Sequence, residues 1–252
     1  MIEVRGVSQV FQTKNGPFQA LKDVSIDIPK GDFVAIIGRS GAGKSTFLRT
    51  LNGLLIPTEG SIKVEGLEIT RLSKRELQKY RRSVGFIFQQ FNLVTRLSVL
   101  DNVLHGRLGY LPTWRGLLGL YTERDYQIAR AQLEQVDLTP KESARVDSLS
   151  GGQMQRVAIA RAMAQEPRLM LADEPAANLD PVLSEEVMRI LKRFNEQLGM
   201  TVVINIHALD LALEYARRII AFKKGELVFD GTAAELTDEL VDEIYERREM
   251  AA

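Results

Sequence analysis

One stretch constrains the fold more than any other: Phe33-Val34-Ala35-Ile36-Ile37, followed at once by Gly38-Arg39-Ser40-Gly41-Ala42-Gly43-Lys44-Ser45-Thr46. The first five residues suit a buried strand, and the next nine match G-x-x-x-x-G-K-[ST]. Phe47, Leu48, Leu51 and Leu55 then recur at helical spacing. A glycine-rich turn before a helix would be the plainer reading, but strand, loop and helix in this order are the context of a phosphate site. The glycines let the backbone wrap tightly, so that its N–H groups converge on phosphate oxygens. The helix N-terminus adds partial positive charge. In such a loop Lys44 reaches the β- and γ-phosphates, and the Ser45 hydroxyl is a ligand for Mg²⁺.

Composition sets limits. At 252 residues there is room for one large domain or two small ones. Lysine plus arginine (33) equals aspartate plus glutamate (33), so no bulk attraction to nucleic acid or anionic membrane is expected. The absence of cysteine excludes disulfides and thiolate metal sites. The start, Met1-Ile2-Glu3-Val4-Arg5, does not read as a signal peptide. No apolar run approaches the ~18 residues of a membrane span. A membrane role is therefore expected to come through a partner.

Residues 2–28 read as β-rich, with Val24, Ile26 and Ile28 alternating against Ser25 and Asp27, and Asn15-Gly16 marks a hairpin. Phe11, just before that turn, fits either a core residue or an exposed ring on which adenine stacks. Strands are expected at 61–65 and 84–88, the latter ending at Gln89-Gln90. Ser73, Ser98, Thr122 and Thr232 each begin a capping-box pattern. Residues 104–121 carry Trp114 and are broken by Gly106, Gly109, Pro112, Gly116 and Gly119. They read as short helices and turns whose apolar residues serve either packing or the docking of another chain. The second half alternates strands at 169–172 and 201–206 with helices from Pro181 and Leu209. Val187, Ile190, Leu191, Phe194 and Leu198 are the expected buried stripe of the first helix. This alternation predicts a mostly parallel sheet with helices on both faces. Residues 219–223 and 227–230 around Lys224-Gly225 predict a closing hairpin, with a short charged helix after it.

A second group of residues narrows the chemistry. Leu169-Met170-Leu171-Ala172-Asp173-Glu174 puts two carboxylates at the end of an apolar strand, the edge where ligands bind in such sheets. Asp173 suits Mg²⁺ through water, and Glu174 suits polarising a water at the γ-phosphate. Gln89 and His207 end two further strands and fit the same pocket, Gln89 toward Mg²⁺ and the attacking water, His207 toward the γ-phosphate. Leu149-Ser150-Gly151-Gly152-Gln153 opens a helix with a second anion-binding turn. One triphosphate is already cradled, so this turn is expected to face the nucleotide of a second copy.

With these residues in place the chain resembles the ATPase subunits of ABC transporters. Residues 149–153 match the signature of that family. Phe11, the Walker A run 38–46, Gln89, the Walker B pair Asp173 and Glu174, the Asn178-Leu179-Asp180 loop and His207 follow in the family's order. The resemblance implies an ABC ATPase fold of P-loop type. An antiparallel β subdomain and a mostly parallel core sheet (1–89 and 149–252) would carry an inserted α-helical subdomain (90–148). It implies that Phe11, residues 38–46, Ser150, Gly151, Gly152, Gln153 and Asp180 bind ATP, and that Ser45, Gln89 and Asp173 hold Mg²⁺. Glu174, with His207 and Gln89, would carry catalysis. The implied partners are a second copy, two membrane permease subunits and, indirectly, a solute-binding protein, at the cytoplasmic face of the inner membrane, with no nucleic acid. Gly106-Arg107-Leu108-Gly109-Tyr110-Leu111-Pro112-Thr113-Trp114-Arg115 and Asn205-Ile206-His207 are similar to phosphonate importer ATPases. Import of phosphonate, or of phosphate or phosphite, is therefore the expected task. Rival readings are an importer ATPase for another solute such as amino acids, a soluble non-transport ABC ATPase, and a P-loop kinase or non-hydrolysing regulator. Ala176-Ala177 and Ala208 depart from the common family pattern.

Overall fold

Period-two alternation builds the first layer. The computed structural model describes residues 1–14 and 16–246. In it strands β1 (Ile2–Thr13) and β2 (Gly16–Ile28) pair antiparallel, with Val24, Ile26 and Ile28 buried. Gly16 takes the left-handed φ of 102° that the hairpin requires; Asn15 lies outside the described residues. Next come β3 (Phe33–Ile37), α1 (Lys44–Leu51), β4 (Glu59–Val64), β5 (Leu67–Glu68), α2 (Lys74–Arg82) and β6 (Val84–Ile87). Helices α3 (Val99–Leu104), α4 (Thr113–Leu117) and α5 (Glu123–Gln135) follow, then α6 (Gly151–Met163). The chain then alternates β7 (Leu169–Asp173), α7 (Pro181–Leu198), β8 (Thr201–Asn205) and α8 (Leu209–Tyr215). It closes on the hairpin β9 (Arg218–Lys223) and β10 (Glu226–Gly231), and on α9 (Asp238–Tyr245).

Two sheets result. The first is antiparallel, in the order β2-β1-β4-β5. The second runs β10-β9-β3-β8-β7-β6, parallel except for β10. Strand β3 is buried at all five positions, as a strand covered on both faces must be. Its alternation divides the core. Phe33, Ala35 and Ile37 join the cluster formed with α3, α5, α6 and α7. Val34 and Ile36 join the cluster with β1, β2, β4 and the α1 residues Phe47, Leu48 and Leu51. The phosphate-loop strand thus lies between two separately packed layers, which fixes where its carboxyl end can go.

Ser73, Ser98, Thr122 and Ser150 complete capping boxes for α2, α3, α5 and α6, and Thr232 does so for a short 3₁₀ turn. One expectation fails. Leu198 is 60% exposed, because the α7 stripe leaves the core after Asn195 and the helix stops at left-handed Gly199. Met188, with Val187, Ile190, Leu191 and Phe194, completes the buried face instead.

Candidate active site for nucleotide hydrolysis

Four parallel strands deliver the site to one sheet edge. The phosphate loop leaves β3, Gln89 follows β6, Asp173 ends β7 with Glu174 next, and His207 lies two residues beyond β8. Within the loop, Gly38 has φ of 137°, and a Cβ there would fall 2.2 Å from the Phe222 carbonyl oxygen. Gly43 has φ of 106°, and its Cβ would lie 2.5 Å from the Ala20 carbonyl oxygen. Neither position admits a side chain. The loop is also strapped to the hairpin, the Gly225 N–H donating to the Ala42 carbonyl at 3.0 Å. Beyond α9, Glu246 pairs with Arg39 on the rim of the loop and with Lys224 at 2.8 Å. The Lys224 and Arg39 cations hold the Glu246 carboxyl below its ordinary range.

Lys44 is buried at the base of the loop. Its ammonium donates to the carbonyls of Gly38 (2.7 Å) and Arg39 (3.0 Å). Burial pulls its pKa down, and the negative charges of Glu174 and Asp173 offset only part of that. Next to it, the Ser45 hydroxyl donates to Asp173 Oδ1 at 2.7 Å. Asp173 is almost fully buried, with Arg49 standing 3.9 Å from its other oxygen.

Glu174 has a left-handed φ of 52°, which turns its side chain away from the strand direction. Gln89 Nε2 donates to one carboxylate oxygen at 2.9 Å, and His207 Nε2 lies 2.5 Å from the other. Both oxygens of this one carboxylate are therefore held by partners from two other strands. Gln89 lies two residues past β6 rather than at its end, and it turns its amide nitrogen, not its oxygen, to the carboxylate.

Other expected residues stand apart from this cluster. Ser150 caps α6, accepting from the Gln153 N–H, and Gln153 Oε1 accepts from the Ser150 N–H and from Lys141. Those bonds stay in their own turn and its neighbour, and none reaches the phosphate loop of the same chain. A Cβ on Gly152 would lie 2.8 Å from a Leu183 methyl, so Leu183 would have to shift. Asp180 caps α7 through the Leu183 N–H at 3.0 Å. Phe11 is half-buried opposite Phe18 at the hairpin end, outside both core clusters. Asn205 joins the Asp173–Glu174 cluster from β8, its amide donating to Asp173 at 2.7 Å. Its only advance signal is a polar residue closing the apolar run of β8.

The arrangement can cradle a triphosphate, offer oxygen donors to a cation and polarise a water. Comparison with known proteins gives the family. The model of the family described as ABC transporter matches residues 21–177. A phosphonates import ATP-binding protein, PhnC, of Staphylococcus haemolyticus is 52% identical over 247 residues, covering 98% of this chain and 95% of its own length. PhnC 3 of Halalkalibacterium halodurans is 48% identical over 248 residues, covering the same shares. Among solved structures, dimeric MJ0796, a bacterial ABC transporter cassette, superposes with a TM-score of 0.83 and 36% identity, covering 92% of this chain and 99% of its own. MJ1267 in its ADP conformation gives 0.85 and 27%, covering 100% and 99%. By fold, by site and by sequence along its length, this chain belongs to the ABC transporter ATPase family.

Proposed function

We propose that this chain is the ATP-hydrolysing subunit of a phosphonate importer. Two copies arranged head to tail close around two ATP and drive a pair of membrane permease subunits. The observation that carries the chemistry is the convergence of Gln89 and His207 on Glu174, beside the Ser45–Asp173 pair. The cargo rests on near-full-length identity of about one half to proteins named as phosphonates import ATP-binding proteins; phosphate and phosphite share the oxyanion chemistry. In this reading residues 1–89 and 149–252 form the ATPase core. Residues 90–148 receive the permease at the cytoplasmic face of the inner membrane, and a solute-binding protein delivers cargo on the other side. No helix among the described residues is long and apolar enough to cross a membrane itself.

The Ser45 hydroxyl and the Asp173 carboxylate are hard oxygen donors next to the phosphate cradle. That suits Mg²⁺, which takes one or two protein oxygens together with substrate phosphates; the Gln89 amide oxygen would be a further donor. Held by Ser45 and Asp173, Mg²⁺ would supply charge neutralisation for the phosphates. Phe11 stacks on adenine, while Lys44 and the N–H groups of residues 38–46 hold the phosphates. Glu174 takes the proton of the attacking water, its orientation set by Gln89 and His207. Ser150, Gly151, Gly152 and Gln153 of the second copy cover the γ-phosphate, with Asp180 at the same interface. Binding closes the pair and moves the permease, and hydrolysis resets it. Glu174→Gln keeps the shape and removes the base, so turnover should fall by about 10²–10⁴-fold with ATP binding retained. Hydrolysis at the native rate would refute the assignment.

A further inference from the structure

Asn205 is completely buried at the end of a strand whose preceding residues are Thr201, Val202, Val203 and Ile204. Its Nδ2 donates to Asp173 Oδ1 at 2.7 Å, the one side-chain hydrogen bond it makes among the described residues. Its Oδ1 has no partner among the described residues. An unpaired buried amide oxygen is costly, and an apolar residue of similar size would remove that cost at once. What such a residue would lose is the bond to Asp173. The main chain of Asn205 also accepts the Glu174 N–H at 3.1 Å, at the residue where the backbone turns left-handed. Asp173 and Asn205 are direct partners in the β7–β8 ladder, so the amide faces the carboxylate by register.

We propose that Asn205 is a positioning residue that holds the Asp173 carboxylate in the orientation the metal site needs. Asp173 Oδ1 receives two donors, the Ser45 hydroxyl and the Asn205 amide, both at 2.7 Å. The Ser45 hydroxyl can give a lone pair to a cation and still donate its proton to Oδ1, so Asn205 is the second of two donors that fix this oxygen. Both donors act on Oδ1, while Oδ2 stands 3.9 Å from Arg49. The same residue fixes the start of the Glu174 turn through its carbonyl, so one strand end sets both carboxylates. Outer partners of this kind tune metal affinity without touching the metal.

The inference rests on Asp173 serving Mg²⁺, and the experiment separates the two. Binding of a fluorescent ATP analogue is titrated in EDTA and across a Mg²⁺ series. Manganese affinity in the presence of the analogue is read by electron paramagnetic resonance. For Asn205→Leu we expect a melting temperature at or above the native one and EDTA affinity within twofold of native. The metal concentration at half-saturation should rise by about tenfold or more. Asn205→Ala removes the same donor with less bulk and should give the same metal shift. Asp173→Asn is the control. If it leaves metal dependence intact, the reading of Asp173 itself fails. If it abolishes metal dependence while Asn205→Leu and Asn205→Ala bind metal as the native chain does, only the Asn205 assignment fails. Equal loss of affinity with and without metal, or unfolding of both Asn205 variants, would make Asn205 a structural strut and overturn the assignment.

Discussion

At position 174 a carboxylate is gripped from both sides, and that is the residue-scale core of the account. A free glutamate at a strand end would sample many rotamers. Here Gln89 and His207 each hold one of its carboxylate oxygens. Replacing His207 by Ala should therefore lower kcat by about 10²-fold with little change in the KM for ATP, because the lost contact matters when water attacks the γ-phosphate. Steady-state kinetics check this, and an effect confined to KM would contradict it. The residue types of this site were readable beforehand, since Lys44, Asp173, Glu174, Gln89 and His207 all follow apolar runs that look like strands. The amide of Asn205 was not, because a side chain on β8 meets Asp173 only once β7 and β8 are neighbours in register.

At the scale of elements, local signals and long-range ones separate cleanly. The capping boxes at Ser73, Ser98, Thr122 and Thr232 are legible because each closes within four residues, and the one at Ser150 lies in a stretch read for its glycines. The error at Leu198 has the opposite origin, since helical spacing says which face is apolar but not where the core ends. Arg107 was equally hidden. Its guanidinium, 6% exposed, bonds Asp125 of α5 at 3.0 Å, and Glu166 and the Ala164 carbonyl, both at 2.9 Å and both just past α6. It also lies over the Tyr110 ring, 4.2 Å from its centre. Arg107→Met leaves Asp125 buried without its cation and should cost about 3–5 kcal/mol in chemical denaturation. Burial pushes the Asp125 carboxyl up, but the Thr122 bonds and Arg107 outweigh it, so its pKa falls below the ordinary 3.8. A depressed carboxylate stabilises the fold above its unfolded value and loses that contribution as pH drops through the folded one. Denaturation midpoints should thus hold near neutrality and fall below about pH 4. In Asp125→Asn that acid-range fall should be reduced. An identical profile in the variant would show that the network carries no linked stability.

The whole molecule presents two kinds of surface. Its charge balances to zero, yet α4 and the turn after it expose Trp114 (60%), Leu117 (83%) and Leu118 (68%). Composition alone left packing and docking open for this stretch; exposure of these three side chains favours docking. A Leu117→Ser, Leu118→Ser double variant should hydrolyse ATP as an isolated subunit at the native rate but fail to co-purify with permease subunits. Retained co-purification would place the contact elsewhere. The central claim is that each pocket is finished by a second copy, since the Ser150 turn bonds within its own neighbourhood and not to its own phosphate loop. Light scattering of Glu174→Gln with saturating Mg²⁺-ATP tests it most directly. The account predicts a mass of twice 28.3 kDa that returns to 28.3 kDa when nucleotide is removed. A variant that stays at the single-chain mass, while the native chain turns over ATP as a lone subunit, would contradict it.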